Sequence, residues 1–190
     1  MTRRRAPSDR ARKPLDAARL DALALAYVAR FATSRAKLAR YLARKIGESE
    51  WTDGVDAAAA CAAVVAKMQR LGFVDDRQYA AMRGGAMTRR GLGVRRVKAQ
   101  LFVDGIEAGD AAEAVEAAEA SALASALGYA RRRRFGPFAA EPAADPARRE
   151  RQVAAFARAG HAPALARRIL AIGPDDEAAL AALDAEAALD

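Results

Sequence analysis

Residues 73–106 decide the fold of this chain: 73–80 read FVDDRQYA, 88–97 read TRRGLGVRRV, and Leu101 and Gly105-Ile106 follow. Asp75 is a favourable residue for capping the start of a helix, and Gly91 and Gly105 are favourable for ending one. The stretch therefore predicts two helices joined by a glycine turn with arginines on both sides. The stretch contains no catalytic group, so its pattern indicates a protein that binds a large anionic or acidic partner.

Composition predicts an all-α protein. The chain has 190 residues, of which 53% are hydrophobic but only 6% aromatic, and alanine supplies more than a quarter of them. Alanine is the best helix former, and no run of alternating β-branched residues suggests a sheet. We therefore expect helices with thin, shallow cores.

Charge is distributed unevenly along the chain. The net charge is +8, the last eighteen residues contribute −6, and residues 1–172 therefore carry +14. A basic body indicates a polyanionic or acidic partner, although a genome that favours arginine explains the excess equally well. The acidic end predicts a helix that folds against the basic residues and screens them, but a solubilising cap would have the same composition.

Three similar segments of the sequence each have a tyrosine in their first predicted helix. These tyrosines, at 27, 79 and 129, are 52 and 50 residues apart. A period near fifty residues is typical of tandem helical units. We predict an elongated, curved array of three three-helix repeats, at 15–72, 73–120 and 121–173. A disordered basic arm, 1–14, precedes them and an acidic C-terminal helix, 174–190, follows. Between Asp110 and Arg134 one long helix and two shorter ones broken near Ser121 are both allowed.

The residue inventory argues against enzymatic chemistry. Cys61 and His161 are each the only residue of their type, so a His-based triad or a zinc site would lack partners. No Gly-Lys-Ser/Thr phosphate loop is present. We expect no catalytic residue, no cofactor and no metal. With no signal peptide and no apolar run near the ~20 residues that span a bilayer, we also expect a cytoplasmic protein without membrane contact, and nothing indicates more than a monomer.

Basic residues recur on the second helix of each predicted repeat and would form a stripe along the array. Such a stripe suits electrostatic tracking of a polymer, and Gly91 and Gly93 would let the backbone approach a phosphate or carboxylate. The alternative is that these side chains form the solvated faces of amphipathic helices. The residues we expect to contact a partner or nucleic acid are Arg35, Lys37, Arg40, Arg89, Arg90, Arg95, Arg96, Lys98, Arg148 and Arg149.

The central block and its flanks resemble the RecX family of bacterial recombination regulators, over roughly residues 20–172. The residues that carry the resemblance are Arg30, Ser34 and Leu38; Phe73 to Asp76 with Tyr79-Ala80; Arg90-Gly91, Val94 to Val97, Leu101 and Gly105-Ile106; and, more weakly, Phe156, Ala159, Gly160 and Ile169-Leu170. Two features depart from the family pattern. Ala159 stands where the family has an arginine, and His161 stands where it more often has an aromatic residue. The acidic segment after Gly173 lies beyond the usual end of the family's sequence pattern.

This resemblance implies three tandem three-helix repeats and no enzymatic activity. It also implies binding to the RecA recombinase filament on single-stranded DNA, with inhibition of its ATP hydrolysis and strand exchange, in recombination, DNA repair and the SOS response. Two alternatives from other classes remain. The first is a helical module that binds nucleic acid directly, which would bind naked DNA with a steep salt dependence. The second is a protein-interaction scaffold, for which charge reversal at Arg95 and Arg96 would affect no complex with nucleoprotein.

Overall fold

The computed structural model describes residues 12–142 and 145–189, and in these ranges the chain is almost entirely helical, which confirms the all-α prediction. The helices are α1 (Ala17–Val28), α2 (Arg35–Gly47), α3 (Ala57–Arg70), α4 (Asp76–Arg89), α5 (Val94–Val103), α6 (Ala108–Ala120), α7 (Ala122–Arg133), α8 (Pro146–Arg158), α9 (Pro163–Leu170) and α10 (Glu177–Leu189). A 3-10 turn, Gly136–Phe138, and two short strands, β1 (Pro14–Leu15) and β2 (Glu50–Trp51), complete the described elements.

The chain divides into two compact units, Met1–Asp75 and Asp76–Asp190. The first holds α1 to α3, and the second holds α4 to α10. Helices α4 to α9 lie in the segments predicted as the second and third trios of helices, and they belong to one unit. That the trios are copies of one repeat, and that the array is elongated and curved, stays a prediction.

The first unit packs around large apolar side chains that are at most 1% exposed: Leu20, Leu38, Leu42 and Met68. Each helix starts at a side-chain cap, because Asp16, Ser34 and Asp56 accept hydrogen bonds from backbone N–H groups of α1, α2 and α3. Cys61 is buried in the same core, and this burial raises the pKa of its thiol. The free cysteine thus contributes packing.

The predicted disordered arm extends too far along the chain. Strand β1 pairs in parallel with β2, with the Glu50 N–H donating to the Lys13 carbonyl at 3.0 Å, and Leu15 is 2% exposed. Residues 12–14 are therefore ordered, and residues 1–11 lie outside the described part. Trp51 of β2 packs against the first core and donates its indole N–H to the Val55 carbonyl at 2.8 Å.

Four helices end in the same glycine motif, which the sequence predicts for Gly91 and Gly105. Gly72, Gly91, Gly105 and Gly160 have φ between 68° and 96°, a left-handed conformation that costs glycine nothing sterically. The next N–H then folds back to a carbonyl five residues earlier: Phe73 to Met68, Leu92 to Met87, Ile106 to Leu101, and His161 to Phe156, at 3.0 to 3.1 Å. These stops fix where each following helix begins.

The second unit contains two hydrophobic clusters. One lies among α4, α5 and α6 around Val97 and Leu101, and the other joins α7 to α10 around Phe156 and Ile169. The chain breaks between α6 and α7 at Ser121, so the two-helix alternative for 110–134 is correct. The acidic C-terminal helix belongs to the second cluster, since its Leu183 is only 4% exposed.

A buried carboxylate links two helices of the second unit. Asp104 is 5% exposed and accepts a hydrogen bond from the Tyr79 hydroxyl at 2.9 Å and one from the Gln100 amide at 3.1 Å, while Arg83 lies 3.7 Å away. A buried ionised acceptor loses considerable stabilisation when a donor is removed. This network therefore holds α4 against the end of α5.

We expect Tyr79→Phe to lower the free energy of unfolding by about 1–3 kcal/mol, because the buried Asp104 carboxylate loses a donor. Urea unfolding followed by circular dichroism measures the change. Tyr41→Phe is the matched control, since no hydrogen bond of the Tyr41 hydroxyl is found among the described residues. A loss of similar size in both variants would contradict the role of the Tyr79–Asp104 bond.

Candidate nucleoprotein-binding surface

The predicted contact residues lie on four helices and in one turn. Arg35, Lys37 and Arg40 lie on α2; Arg89 and Arg90 lie at and just after the end of α4; Arg95, Arg96 and Lys98 lie on α5; and Arg148 and Arg149 lie on α8. All are exposed except Arg35 and Lys37, which are half-buried. Lys98 also forms an exposed salt bridge with Glu119 at 2.8 Å. Both units therefore present cations to solvent, but a continuous stripe across them stays a prediction.

The glycine turn between α4 and α5 has a different role from the one predicted. The Gly93 N–H donates to the Ala159 carbonyl at 2.9 Å, and the Arg95 N–H donates to the Gly160 carbonyl at 3.2 Å. A Cβ on Gly93 would overlap the backbone at Gly160. The turn and the α8–α9 loop thus form a backbone-to-backbone junction, and these N–H groups serve the fold and not an anion.

His161 completes this junction from the other side. Its ring is 2% exposed, packs near Tyr129 and Phe156, and places Nε2 3.0 Å from the Gly91 carbonyl oxygen. A carbonyl only accepts, so Nε2 carries the proton. Burial lowers the pKa of His161, the Arg132 charge lowers it further, and the bond to Gly91 opposes both. The only histidine is therefore a neutral packing group.

We expect the second unit to lose stability on acidification because of His161. Its unfolded-state pKa is near 6.5 and its folded-state pKa is lower, so the unfolded chain binds more protons between the two. The contribution of neutral His161 to the free energy of unfolding is complete above about pH 6.5. It is lost as the pH falls through the pKa of His161 in the folded state. Urea unfolding at pH 7.5 and pH 5.5 measures this loss. His161→Gln should flatten the dependence, and an unchanged slope would assign it to other groups.

A cleft in the first unit brings aromatic and cationic side chains together; we name it the aromatic cleft. Its volume is about 650 Å³, and it is lined by Ala26, Tyr27, Arg30, Phe31, Lys37, Arg40, Tyr41 and Arg44. The rings of Tyr27 and Tyr41 stack with centroids 4.2 Å apart and an interplanar angle of 20°, and Phe31 lies 5.3 Å from Tyr27. Lys37 and Arg40, both predicted contacts, therefore share a site with rings.

The three- and four-residue steps from Leu20 and Ala24 to Tyr27 and Phe31 predict one buried helix face, so sequence reasoning alone misses this cleft. In the structure Phe31 is 52% exposed, and Leu42, not Tyr41, fills the core from α2. The signal was present as two interleaved patterns, Tyr27 with Arg30-Phe31 and Arg40-Tyr41 with Arg44. Aromatic residues alternating with arginine are typical of surfaces that bind single strands.

A second cationic cleft lies in the second unit, beside α8. Its volume is about 540 Å³, and its charged lining residues are Arg133, Arg134, Arg148, Arg151, Arg158 and Glu141. Arg149, the neighbour of Arg148, lines a different cleft with Arg167 and Glu150. The structure therefore separates these two predicted contacts and groups Arg148 with arginines at the end of α7.

The acidic helix α10 pairs with two arginines of its own unit. Arg168 binds the Glu186 carboxylate with two hydrogen bonds, and these lower the pKa of Glu186. Asp184 lies 3.7 Å from Arg131. Neither arginine is among the ten predicted contacts. The helix thus screens Arg131 and Arg168 and not the predicted contact residues, and the burial of Leu183 makes the helix part of the core.

Among the residues that the structure describes, no group of His, Cys, Asp or Glu is arranged to hold a metal ion. In the same part of the chain, no helix is long and apolar enough to cross a membrane. The described features are thus those of an all-helical protein with cationic residues exposed on both units.

Comparison with known proteins gives the family. No family model matches the chain. A protein of Myxococcus xanthus (strain DK1622) named Regulatory protein RecX is 32% identical over 160 residues, which cover 82% of this chain and 86% of the relative. A crystal structure of regulatory protein RecX has a TM-score of 0.53 at 20% identity, over 80% of this chain and 72% of the other, and so shares the fold. The chain belongs to the RecX family.

Proposed function

We propose that this protein is a non-enzymatic regulator that binds the RecA recombinase filament on single-stranded DNA and lowers its ATPase and strand-exchange activity. Membership of the RecX family carries this proposal, and the exposed basic residues of α2, α5 and α8 supply the means of binding. The setting is recombination, DNA repair and the SOS response in the bacterial cytoplasm, and the active form is a monomer.

The buried polar groups support a role without catalysis. Asp104 is held by Tyr79 and Gln100, and His161 is held by Gly91. Asp104 and His161 are at most 5% exposed and bond within the fold, so neither is within reach of a substrate for proton transfer. We therefore assign the activity to binding and to its effect on the filament.

Inhibition of a filament requires contact with a long anionic polymer and the protein subunits coating it. Exposed arginines on several helices give such contact a large electrostatic component, which weakens with salt. Binding along the filament would hold adjacent subunits in one arrangement and so hinder ATP turnover. Weak, salt-sensitive binding to naked DNA beside tight binding to the filament is the expected pattern.

The test is the ATP hydrolysis rate of a RecA-type filament assembled on single-stranded DNA, titrated with this protein. We expect the rate, and strand exchange with it, to fall as the protein approaches a stoichiometric ratio to the recombinase. Free recombinase without DNA and naked DNA are the binding controls in a pull-down. An unchanged hydrolysis rate at stoichiometric ratios would overturn the proposal.

Direct binding to nucleic acid is a second candidate function, and the aromatic cleft is the observation that favours it. Such binding would add a contact with the single strand to the contact with the recombinase. It is measurable without any recombinase, so the two functions separate experimentally.

A further inference from the structure

The rings of the aromatic cleft are not part of the buried core of the first unit. That core is filled by aliphatic side chains from α1, α2 and α3. Tyr27 and Tyr41 pack only partly against it, and Phe31 is not among the side chains that do. Phe31 is 52% exposed and tilted by 48° against Tyr27, which itself stacks on Tyr41, so part of the apolar surface of the Phe31 ring is open to solvent. Stacking on another planar group would use this surface.

The position of Phe31 explains its exposure. Helix α1 ends at Val28, and the N–H groups of Arg30 and Phe31 both donate to the Tyr27 carbonyl, at 3.1 and 3.0 Å. Phe31 therefore lies in the turn after the helix, outside the register that directs Leu20 and Ala24 into the core. The turn is held by these hydrogen bonds, so the ring projects from a defined backbone.

Among the described residues, the charged side chains that line the cleft are all cationic. Arg30 places its guanidinium 5.7 Å from the Phe31 centroid, and Arg44 lies 5.6 Å from the Tyr41 centroid. Lys37 and Arg40 also line the cleft, and no carboxylate does among the described residues. Glu48 pairs with Arg44 at 3.6 Å and with Lys45 at 2.8 Å, outside that lining. The occupant must therefore combine negative charge with a planar apolar face.

Single-stranded nucleic acid has this combination. Every base offers a π-face, and each nucleotide carries one phosphate, so rings with interleaved cations bind single strands with little sequence preference. In a duplex the base faces are stacked on one another and hidden. An acidic peptide supplies charge but has no planar group at each residue. The cleft volume of about 650 Å³ suits a short stretch of strand and not a folded domain.

The geometry points to the aromatic cleft as a site for single-stranded nucleic acid, in which a base stacks on Phe31 and the neighbouring phosphates contact Arg30, Lys37, Arg40 and Arg44. This inference adds a DNA contact to the proposed function and rests on it in one respect. If the protein binds the filament, the single strand bound in the cleft would be the DNA of that filament. The contact itself does not require the recombinase.

Binding of a labelled oligothymidine, followed by fluorescence anisotropy, tests the site in the absence of recombinase. We expect Phe31→Ala to weaken binding roughly 5- to 150-fold, the range that loss of one base–aromatic stack gives. Phe73→Ala is the matched control, because Phe73 is 51% exposed in the same unit but is not among the residues lining the cleft. Affinity of Phe31→Ala equal to that of the unmodified protein would overturn the inference.

An abasic strand of equal length separates stacking from phosphate contact. The unmodified protein should bind it about as weakly as Phe31→Ala binds oligothymidine, while Phe31→Ala should not distinguish the two strands. Arg30→Gln, in contrast, should reduce the salt dependence on both strands by about one phosphate contact. Equal affinity of the unmodified protein for both strands would mean that no base is stacked.

Two further outcomes distinguish this site from the proposed function. If Phe31→Ala weakens inhibition of the filament but leaves oligothymidine affinity unchanged, the cleft contacts a protein, and the inference is wrong. If the unmodified protein binds oligothymidine through Phe31 but leaves the filament ATPase unchanged, the site stands and the regulatory proposal falls.

Discussion

Gly93→Ala is expected to destabilise the second unit by about 3 kcal/mol, a large effect for a single added methyl group. Gly93 has an ordinary φ of −79°, so backbone strain is not the cause. The cause is space, because the added Cβ would overlap the Gly160 carbonyl and approach the His161 N–H. Relief requires separating two backbones joined by hydrogen bonds between 93 and 159 and between 95 and 160.

Gly160→Ala should cost at least as much. Its φ of +96° is unfavourable for any side chain, and its Cβ would meet the Arg96 backbone. Gly109→Ala is the control, since Gly109 lies in α6 with nothing within 4 Å of an added Cβ. It should be neutral or stabilising by up to about 1 kcal/mol. Urea unfolding measures all three, and a Gly93 variant as stable as the Gly109 variant would contradict the junction.

Arg95→Glu combined with Arg96→Glu is expected to raise the concentration needed to inhibit the filament at least about tenfold. Both side chains are exposed in the first turn of α5, beside the junction. Their partner is proposed to be anionic, so reversal replaces attraction by repulsion and reduces both the association rate and the affinity. Glutamate suits the first turn of a helix, so the fold should be unaffected.

The matched control has the same change in charge at two other first-turn positions. Arg19 of α1 and Arg77 of α4 are exposed and are not among the predicted contacts. Arg19→Glu with Arg77→Glu should shift the inhibitory concentration far less, because only the diffuse charge of the protein changes. Filament ATPase titrations of the two double variants, at one fixed salt concentration, give the comparison. Equal shifts would show that net charge, and not the α5 surface, determines binding.

Local signals in the sequence were sufficient to predict most helix ends. Gly91 and Gly105 end helices where expected, and the same kinds of signal operate at Ser34, which caps α2, and at Gly72 and Gly160. Caps and glycine stops involve hydrogen bonds between residues only a few positions apart, so their pattern is visible in the sequence itself. The same locality applies at the start of α8, where the Asp145 cap is followed directly by Pro146.

Contacts between distant residues could not be predicted in this way. Gly93 meets residues 159 and 160, and Pro14 pairs with Glu50, yet nothing in the local composition indicates either partner. The basic, proline-containing start of the chain therefore suggested disorder up to residue 14. The α4–α5 turn suggested an anion site for a related reason, because a glycine required by a neighbouring backbone and a glycine required by a ligand give the same sequence.

The aromatic cleft could not be predicted because its residues follow the helical spacing of core residues. Tyr27 and Phe31 continue the spacing of Leu20 and Ala24, so they were assigned to the core. The helix ends at Val28, three residues before Phe31, and the spacing no longer describes a face beyond that point. A helix boundary is the least certain part of a sequence-based assignment, and here it separates a core residue from a surface residue.

Trp51 gives the molecule an internal reporter for one of its halves. It is the only tryptophan of the chain, and it lies in the first unit, where it packs on that unit's core and bonds to Val55. Its emission should follow the melting of residues 12–75, while circular dichroism follows both units. In the Gly93 and Gly160 variants, a fluorescence midpoint that stays constant while the helical signal melts earlier would show that the halves unfold independently. A joint shift would measure how strongly one half depends on the other.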